Sequence, residues 1–256
     1  MPLATPPLVP LIDSSCNGPI RYDRAEGEHS LIKFMKKLFR PLFLLLLTVC
    51  AFTACEENME TEEEFVNWQE KNVKAFQDKM AIARKAIAEA QATYKGDEGG
   101  DEEWKKHCDW RIFRTYAQHP NTAGKAEDSI CVFINKVGNG AGCPLYTDSV
   151  AIHYLGRLIP SPSYPDGFVF DHSSKGSPVE DVFNPEFNTP ARFLVSNNIE
   201  GFTTALQEMH IGDHWTVYIP SELGYGKIAN QVIPGYSMLT FEVELEAYAH
   251  AGFPLD

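Results

Sequence analysis

The sequence predicts an α+β fold, in which an antiparallel β-sheet curls around one short helix and a separate helical segment precedes the sheet. Three observations lead to this prediction. Residues 65–94 repeat apolar side chains at helical spacing. Residues 130–245 contain several short runs of β-branched and aromatic residues bounded by Gly, Asn and Pro. Between those runs, only residues 200–209 have the pattern of an amphipathic helix.

The N-terminal part of the chain has the pattern of a secretory signal peptide. Met35–Arg40 is basic, Leu42–Val49 is almost wholly apolar, and small residues stand directly before Cys55. The apolar run is shorter than the roughly 20 residues that a membrane-spanning helix needs. The segment resembles a bacterial lipobox, although Phe52 stands where an aliphatic residue is usual. This resemblance implies cleavage before Cys55, a diacylglycerol on its sulfur and an extracytoplasmic, membrane-anchored location in the cell envelope; ordinary secretion is the alternative.

Four parts of the chain follow from these patterns. We interpret residues 1–34 as lying upstream of the true start, residues 35–54 as the lipoprotein signal peptide, residues 55–100 as an acidic tether, an amphipathic helix and a linker, and residues 101–256 as the main domain. The whole sequence has 22 Lys and Arg residues against 35 Asp and Glu residues, a net charge of −13. A surface this acidic repels a phosphate backbone, so nucleic acid is not an expected partner.

The N-terminal helix has an apolar stripe that needs a covering surface, and it is predicted to end before Gly96. The stripe consists of Phe65, Trp68, Phe76, Met80, Ala83, Ile87, Ala90 and Tyr94. It can pack on the domain that follows or against a second copy of the chain, which would make a homodimer. Packing on its own domain is the favoured interpretation, and the homodimer is the alternative.

The predicted strands are 130–134, 149–154, 193–195, 215–219 and 239–245. In the last strand, four apolar residues from Leu239 to Leu245 alternate with Thr and Glu, so one face of the strand is apolar and the other is predicted to face solvent. The predicted helix within the domain, Glu200 to Met209, has one apolar face to lay across the sheet. That face consists of Phe202, Ala205, Leu206 and Met209.

Cysteine and histidine residues do not form a pattern typical of a metal site. The chain has no C-x-x-C pair. The cysteines of the main domain, which allow either one disulfide or three free thiols, are Cys108, Cys131 and Cys143. His210 and His214 have the spacing of two ligands on one helical face, but Gly212 lies between them, where the helix should already have ended. We interpret both as solvated surface histidines and predict no metal.

A series of motifs occupies the C-terminal half of the chain. They are Ile152–Gly156, Asp166–Ser174, Phe193–Gly212, Ile219–Gly226 and Ile233–Leu245. In order and spacing this series resembles the FKBP-type peptidyl-prolyl cis-trans isomerases, over roughly residues 128–248. One such motif would be weak evidence, whereas the whole series in the family's order indicates the family's fold. The chain departs from the family pattern at Asn198, where an aliphatic residue is usual, and in a longer connection over residues 175–190.

The resemblance implies a proline-binding pocket and a set of site residues. The positions that match it are Tyr154, Phe170, Asp171, Ile199, Phe202, Tyr225, Ile233 and Phe241. By resemblance, three phenylalanines form the aromatic walls and floor, and Ile233 lies on the rim. Tyr225 and the Ile199 backbone N–H would bind substrate carbonyls, and Tyr154 would hold Asp171 beside the carbonyl that rotates. These aromatics could instead fill an ordinary core, but a lone carboxylate buried there would need polar partners that such a core lacks.

The implied activity is cis-trans isomerisation of X–Pro bonds in extracytoplasmic proteins, which would make the protein a folding helper. Its partners would be proline-containing polypeptides, and no cofactor is needed because no covalent bond forms or breaks. Two alternatives stay open at this point. The same fold can serve as a non-catalytic binding or chaperone module, or the chain can be a lipoprotein subunit of a surface uptake complex that docks through its N-terminal helix.

Overall fold

The computed structural model describes residues 64–94, 102–118, 122–173, 182–230 and 232–255. The predicted signal peptide and Cys55 lie outside these residues. Within them, no helix is both long enough and apolar enough to cross a membrane.

The described residues contain one long helix, one short helix and seven strands. In chain order the elements are α1 (Trp68–Thr93), β1 (Trp110–Arg114), β2 (Ser129–Lys136), β3 (Ser149–Arg157), β4 (Val169–His172), β5 (Ala191–Leu194), α2 (Glu200–Leu206), β6 (His214–Ile219) and β7 (Leu239–Ala249). All strand pairs are antiparallel, and the sheet order is β1-β2-β6-β7-β3-β4. The predicted α+β fold is therefore confirmed.

Strands β4 and β5 share one edge of the sheet. β4 pairs with β3 over residues 155–157, and β5 pairs with β3 over residues 149–152. The long connection between them therefore leaves the sheet in the middle of this edge and returns to it. This arrangement places Asp171 of β4 directly opposite Gly156 of β3.

Helix α2 packs on one face of the sheet, where the alternating apolar residues of β6 and β7 form the core. Gly201 permits a close approach, since a Cβ atom there would lie 2.4 Å from Ile219 Cγ2 and 3.2 Å from Ile130 Cγ2. Leu239, Val243 and the other core-facing residues of β7 are at most 5% exposed. Burial of this apolar surface is the main source of the fold's stability.

Helix α1 packs on the opposite face. Ile130 contacts α2, so its neighbour Cys131 points to the other side of the sheet. There the Cys131 thiol donates to the Lys79 carbonyl of α1 at 3.7 Å, and Lys79 Nζ lies 4.6 Å from the centre of the Tyr218 ring. The residues of α1 buried by this packing are Trp68, Asn72, Phe76, Met80, Ala83 and Ala90. The favoured docking on its own domain is thus observed, and a homodimer through the N-terminal helix stays a prediction.

The structure differs from the sequence-based predictions at several points. Helix α2 ends at Leu206 instead of Met209, because the chain turns there and reverses direction through Gly212, whose φ is +88°. Strands β1 and β4 were not among the predicted strands. The cysteines of the domain are all free thiols, which resolves the disulfide alternative for Cys108, Cys131 and Cys143.

Candidate active site

Three phenylalanines from three different elements meet on the α2 side of the sheet. The ring centroids of Phe202 on α2 and Phe241 on β7 are 4.7 Å apart, and those of Phe170 on β4 and Phe241 are 5.4 Å apart in an edge-to-face arrangement. Phe202 and Phe241 are buried, whereas Phe170 is partly exposed. The cluster therefore has a closed floor and one side that solvent can reach.

Gly156 makes this cluster possible. A Cβ atom at this position would lie 2.6 Å from Phe170 Cζ and 2.8 Å from Phe241 Cε1, closer than van der Waals contact allows. Only glycine leaves room for both rings above strand β3. The sequence motif contained Gly156, but this role depends on the strand pairing and was not predicted.

Tyr154 and Asp171 are joined at the edge of the aromatic cluster. The Tyr154 hydroxyl donates to Asp171 Oδ2 at 3.0 Å, and the Tyr154 ring centroid lies 6.2 Å from that of Phe202 and 6.4 Å from that of Phe241. Buried Ser173 fixes the backbone, because its N–H donates to the Tyr154 carbonyl at 2.9 Å and the Tyr154 N–H donates to its hydroxyl at 3.0 Å. This pairing sets the position of the Asp171 carboxylate.

Asp171 is solvent-exposed. It lies on an edge strand, where its side chain reaches water while Oδ1 accepts the His172 N–H at 2.9 Å. Exposure means that the Asp171 side chain stays hydrated. A ligand that covers the aromatic cluster would remove part of this hydration.

The two tyrosine hydroxyls are protonated donors at neutral pH. Burial, reinforced by the nearby Asp171 charge and the hydrogen bond to it, raises the pKa of Tyr154 well above its usual range. Burial and the Asp171 charge also raise the pKa of Tyr225. Tyr225 is 46% exposed, so its hydroxyl is available to a ligand.

The remaining two predicted positions lie on loops around the cluster. Ile199 is the N-cap residue of α2, with an extended backbone (φ −60°, ψ 150°), and it packs against the core. The neighbouring Asn198 donates to the carbonyls of Leu194 at 3.0 Å and Val195 at 3.1 Å, so its amide stabilises the turn that presents Ile199. Ile233 is buried, and its N–H donates to Asn230 Oδ1 at 2.7 Å.

Ring contacts and one hydrogen bond thus bring five of the eight predicted positions together on the α2 side: Tyr154, Phe170, Asp171, Phe202 and Phe241. Tyr225 lies within reach of the Asp171 charge, and Ile199 and Ile233 belong to the same hydrophobic core. The roles of all eight stay predictions. Sequence reasoning missed Gly156, Ser173 and Phe193, whose ring centroid lies 6.4 Å from that of Tyr154. For Ser173 and Phe193 the motifs contained the residue but gave no sign of its contact, because that contact joins separate strands.

Among the described residues, no group of three or more His, Cys, Asp or Glu side chains could hold a metal ion. The description of His214 as a solvated surface histidine is wrong in detail. Its side chain is only 20% exposed, its Nε2 lies 3.0 Å from Glu242 Oε1, and its ring stacks on Phe183 with centroids 4.7 Å apart. His210 is 48% exposed and lies beside Asp213.

Comparison with known proteins gives a consistent result. Residues 143–246 match the family described as FKBP-type peptidyl-prolyl cis-trans isomerase. The chain is 36% identical over 109 residues to FK506-binding protein 1A of Aspergillus fumigatus, an alignment that covers 42% of this chain and 84% of that protein.

Two bacterial relatives are longer than the matched region. The chain is 42% identical over 110 residues to the FKBP-type 22 kDa peptidyl-prolyl cis-trans isomerase of Escherichia coli, which covers 42% of this chain and 44% of that protein. It is 39% identical over 89 residues to the outer membrane protein MIP of Legionella longbeachae, which covers 35% of this chain and 30% of that protein. The chain spans about half or less of the length of the first curated relatives that it matches.

Proposed function

Because the chain belongs to the family of FKBP-type peptidyl-prolyl cis-trans isomerases, we propose that it catalyses rotation about X–Pro peptide bonds in polypeptides outside the cytoplasm. Amide resonance imposes a barrier of about 18–20 kcal/mol on this rotation. Without a catalyst, X–Pro bonds exchange over tens to hundreds of seconds. The reaction makes and breaks no covalent bond, so the protein must act through binding alone.

A dry aromatic site can accelerate this rotation. The planar amide is more charge-separated than the twisted amide, and water stabilises the charge-separated form. Removing water from the amide therefore favours the twisted transition state over the ground state. In the proposed complex the proline ring lies on Phe202 and Phe241, and Phe170 closes one side.

Polar groups at the edge of the cluster orient the substrate. The Tyr225 hydroxyl donates to a substrate carbonyl, and the Ile199 N–H at the start of α2 donates to the next one. Asp171, held by the Tyr154 hydroxyl, lies beside the carbonyl that rotates. The observation that carries the proposal is the 3.0 Å Tyr154–Asp171 hydrogen bond at the accessible side of an otherwise closed aromatic cluster.

A protease-coupled assay with a proline-containing peptide tests this proposal. We expect the full-length protein to accelerate cis-to-trans conversion in proportion to its concentration. If the folded protein binds the peptide without accelerating its isomerisation, the protein is a binding module of the same fold and not an enzyme. If it neither binds nor isomerises the peptide, the proposed function is wrong, although the fold stands.

We also propose that the protein is anchored to a membrane of the cell envelope through a diacylglycerol on Cys55. The pattern of residues 35–55 supports this, and the similar Legionella protein is named an outer membrane protein. Buried acyl chains contribute about 0.8 kcal/mol of membrane affinity per methylene, which an acidic tether cannot replace.

Substitution of the predicted anchor tests this location. Cys55→Ala should move the protein from the membrane fraction to the soluble envelope fraction, as seen by immunoblotting. Cys143→Ala removes a free thiol of the folded domain and serves as the control, which should stay with the membrane. Membrane fractionation of Cys55→Ala that matches the wild type would contradict the lipid anchor.

A further inference from the structure

Polar contacts join the N-terminal end of α1 to two loops beside the candidate active site. Trp68 and Asn72 are four residues apart in α1, a spacing that places both side chains on one side of the helix, and Glu64 lies just before the helix. The first loop, residues 158–168, connects β3 to β4. The second loop, residues 233–238, leads into β7. Each loop ends next to strand residues of the aromatic cluster.

Trp68 contacts the second loop through a chain of two hydrogen bonds. Its indole Nε1–H donates to Ser237 Oγ at 2.8 Å, and the Ser237 hydroxyl donates to the Pro234 carbonyl at 2.7 Å. Trp68 and Ser237 are both buried, at 6% and 3% exposure. Pro234 directly follows Ile233, so the two hydrogen bonds end at the neighbour of a predicted rim residue.

Asn72 contacts the end of the same loop. Its Oδ1 accepts the Met238 backbone N–H at 2.7 Å, and its Nδ2 donates to the Trp68 carbonyl at 2.7 Å. Asn72 is 2% exposed, so neither group has water as a substitute partner. Met238 immediately precedes β7, the strand that carries Phe241.

Glu64 contacts the first loop. Its carboxylate accepts the Ser163 N–H at 3.1 Å and the Ser163 hydroxyl at 2.7 Å, and it also accepts the Ser161 hydroxyl. This loop leads into β4, which carries Phe170 and Asp171. The N-terminal end of α1 and the residue segment just before it therefore bind both loops.

A helix that only covered a sheet face would not need these contacts. The apolar stripe of α1 is already buried against the sheet through Phe76, Met80 and Ala83. The buried Trp68 indole donor and the buried Asn72 Oδ1 acceptor would each lose their partner if the loop shifted relative to α1. The contacts therefore specify where the second loop lies.

We propose that α1 is a positioning element of the active site, in which Trp68 and Asn72 hold the 233–238 loop so that Ile233 and Phe241 face the bound proline. This inference rests on the proposed isomerase function. It assigns the helical segment a part in catalysis that neither its apolar stripe nor its position on the far face of the sheet would indicate. Trp68 and Asn72 act through the loop and do not touch the substrate.

Three variants of the full-length protein test the proposal. Trp68→Phe keeps the ring and removes the indole donor, and Asn72→Ala removes the acceptor for Met238 N–H. Ala83→Gly is the control, because Ala83 is fully buried in the same helix and lies about 16 Å beyond Asn72 along the helix axis. Glycine in a helix lowers stability by an amount comparable to the loss of one hydrogen bond.

We expect Trp68→Phe and Asn72→Ala to lower kcat/KM by about three- to tenfold, mostly through KM, in protein that is fully folded at the assay temperature. Ala83→Gly should leave kcat/KM unchanged. Hydrogen exchange should show the Met238 amide and its loop neighbours exchanging faster in Asn72→Ala, while the amides of β6 exchange as in the wild type.

Two results would overturn the proposal. One is an Asn72→Ala variant with wild-type kcat/KM and wild-type exchange at Met238. The other is an Ala83→Gly variant whose activity falls as far as that of the two loop variants, since α1 would then act only through overall stability. If the wild-type protein has no isomerase activity, the proposed function fails. Hydrogen exchange of the Met238 amide in Asn72→Ala then decides alone whether α1 positions the loop.

Discussion

The two faces of the sheet are built on different principles. The face under α2 gathers aromatic side chains from β4, β7 and α2, and its polar groups lie at the edge, where Tyr154 meets Asp171. The face under α1 is covered by an apolar helix stripe whose N-terminal end makes buried polar contacts with a loop. The first face offers a place for a ligand. The second face determines where the loop beside that place lies.

This difference implies that damage to the two faces has different consequences. Loss of packing under α2 should reduce stability and activity together, because the same rings serve both. Loss of packing in the middle of α1 should reduce stability alone. The four predictions that follow test this separation, from the largest expected effect to the smallest.

Phe241→Ala should have the largest effect. Phe241 is 5% exposed and contacts both Phe170 and Phe202, so its truncation should lower the free energy of unfolding by about 3–5 kcal/mol. Urea denaturation measures this loss. Activity of the remaining folded protein should also fall severely, since the variant opens the dry floor. Retention of wild-type kcat/KM in the folded fraction would show that the aromatic cluster is only a core.

Met80→Ala should reduce stability to a similar degree without the same loss of activity. Met80 is 2% exposed in the middle of α1, and its truncation should lower the free energy of unfolding by about 2–5 kcal/mol. Assayed at a temperature where it is fully folded, the variant should keep kcat/KM close to the wild-type value. A fall in activity as large as that of Phe241→Ala would mean that the two faces are not separable.

Asp171→Ala should produce the opposite outcome, a loss of activity without a loss of stability. Asp171 is exposed, so little packing is removed, whereas hydrogen bonds to charged groups contribute about 1.5–3 kcal/mol. The expected fall in kcat/KM is therefore about 10- to 100-fold in the protease-coupled assay. Tyr225→Phe, which removes one neutral hydrogen-bond donor, should lower kcat/KM only about two- to tenfold. Asp166→Ala removes another exposed carboxylate, outside the aromatic cluster, and should leave kcat/KM unchanged.

Glu64→Gln should have the smallest effect, and that effect should depend on pH. Hydrogen bonds from Ser161, and then from Ser163, lower the pKa of the Glu64 carboxyl from its ordinary value of 4.5. Its contribution to stability is therefore fully present above pH 4.5 and is lost as the pH falls through the lower pKa of the folded protein.

Thermal unfolding of the two proteins at several pH values measures this contribution. Wild type should have a slightly higher Tm than Glu64→Gln at neutral pH, and the two curves should converge in acid. A Tm difference that stays constant from pH 7 to below pH 3 would contradict the lowered pKa.

The two faces also differ in how far the sequence could predict them. On the α2 face, alternation in 239–245 predicted β7, the apolar face of 200–209 predicted the helix, and the order of short motifs predicted the eight candidate positions. Local patterns suffice for these features, whereas β4, which carries Phe170 and Asp171, was not predicted as a strand. The exposure of Asp171 was not predicted, because a motif does not show that its strand lies at an edge.

On the α1 face, helical periodicity predicted the helix but left its partner open. Asn72 stood in the sequence as an ordinary polar residue of an amphipathic helix, and its partner Met238 is 166 residues away. No local pattern connects such residues, so the contacts that relate α1 to the candidate site required the structure. The same holds for Gly156, whose need for small size arises only when two rings from β4 and β7 meet above it.

The central claim is that X–Pro isomerisation occurs on the Phe202–Phe241 floor, and NMR of isotope-labelled protein with a proline-containing peptide tests it most directly. The same sample reports where the peptide binds and how fast its cis and trans forms exchange. We predict that the amides of Tyr154, Ile199 and Phe202 shift on titration, and that exchange becomes faster than one per second. Shifts confined to the α1 face, or binding at the floor with exchange still on the uncatalysed scale of tens to hundreds of seconds, would contradict the account.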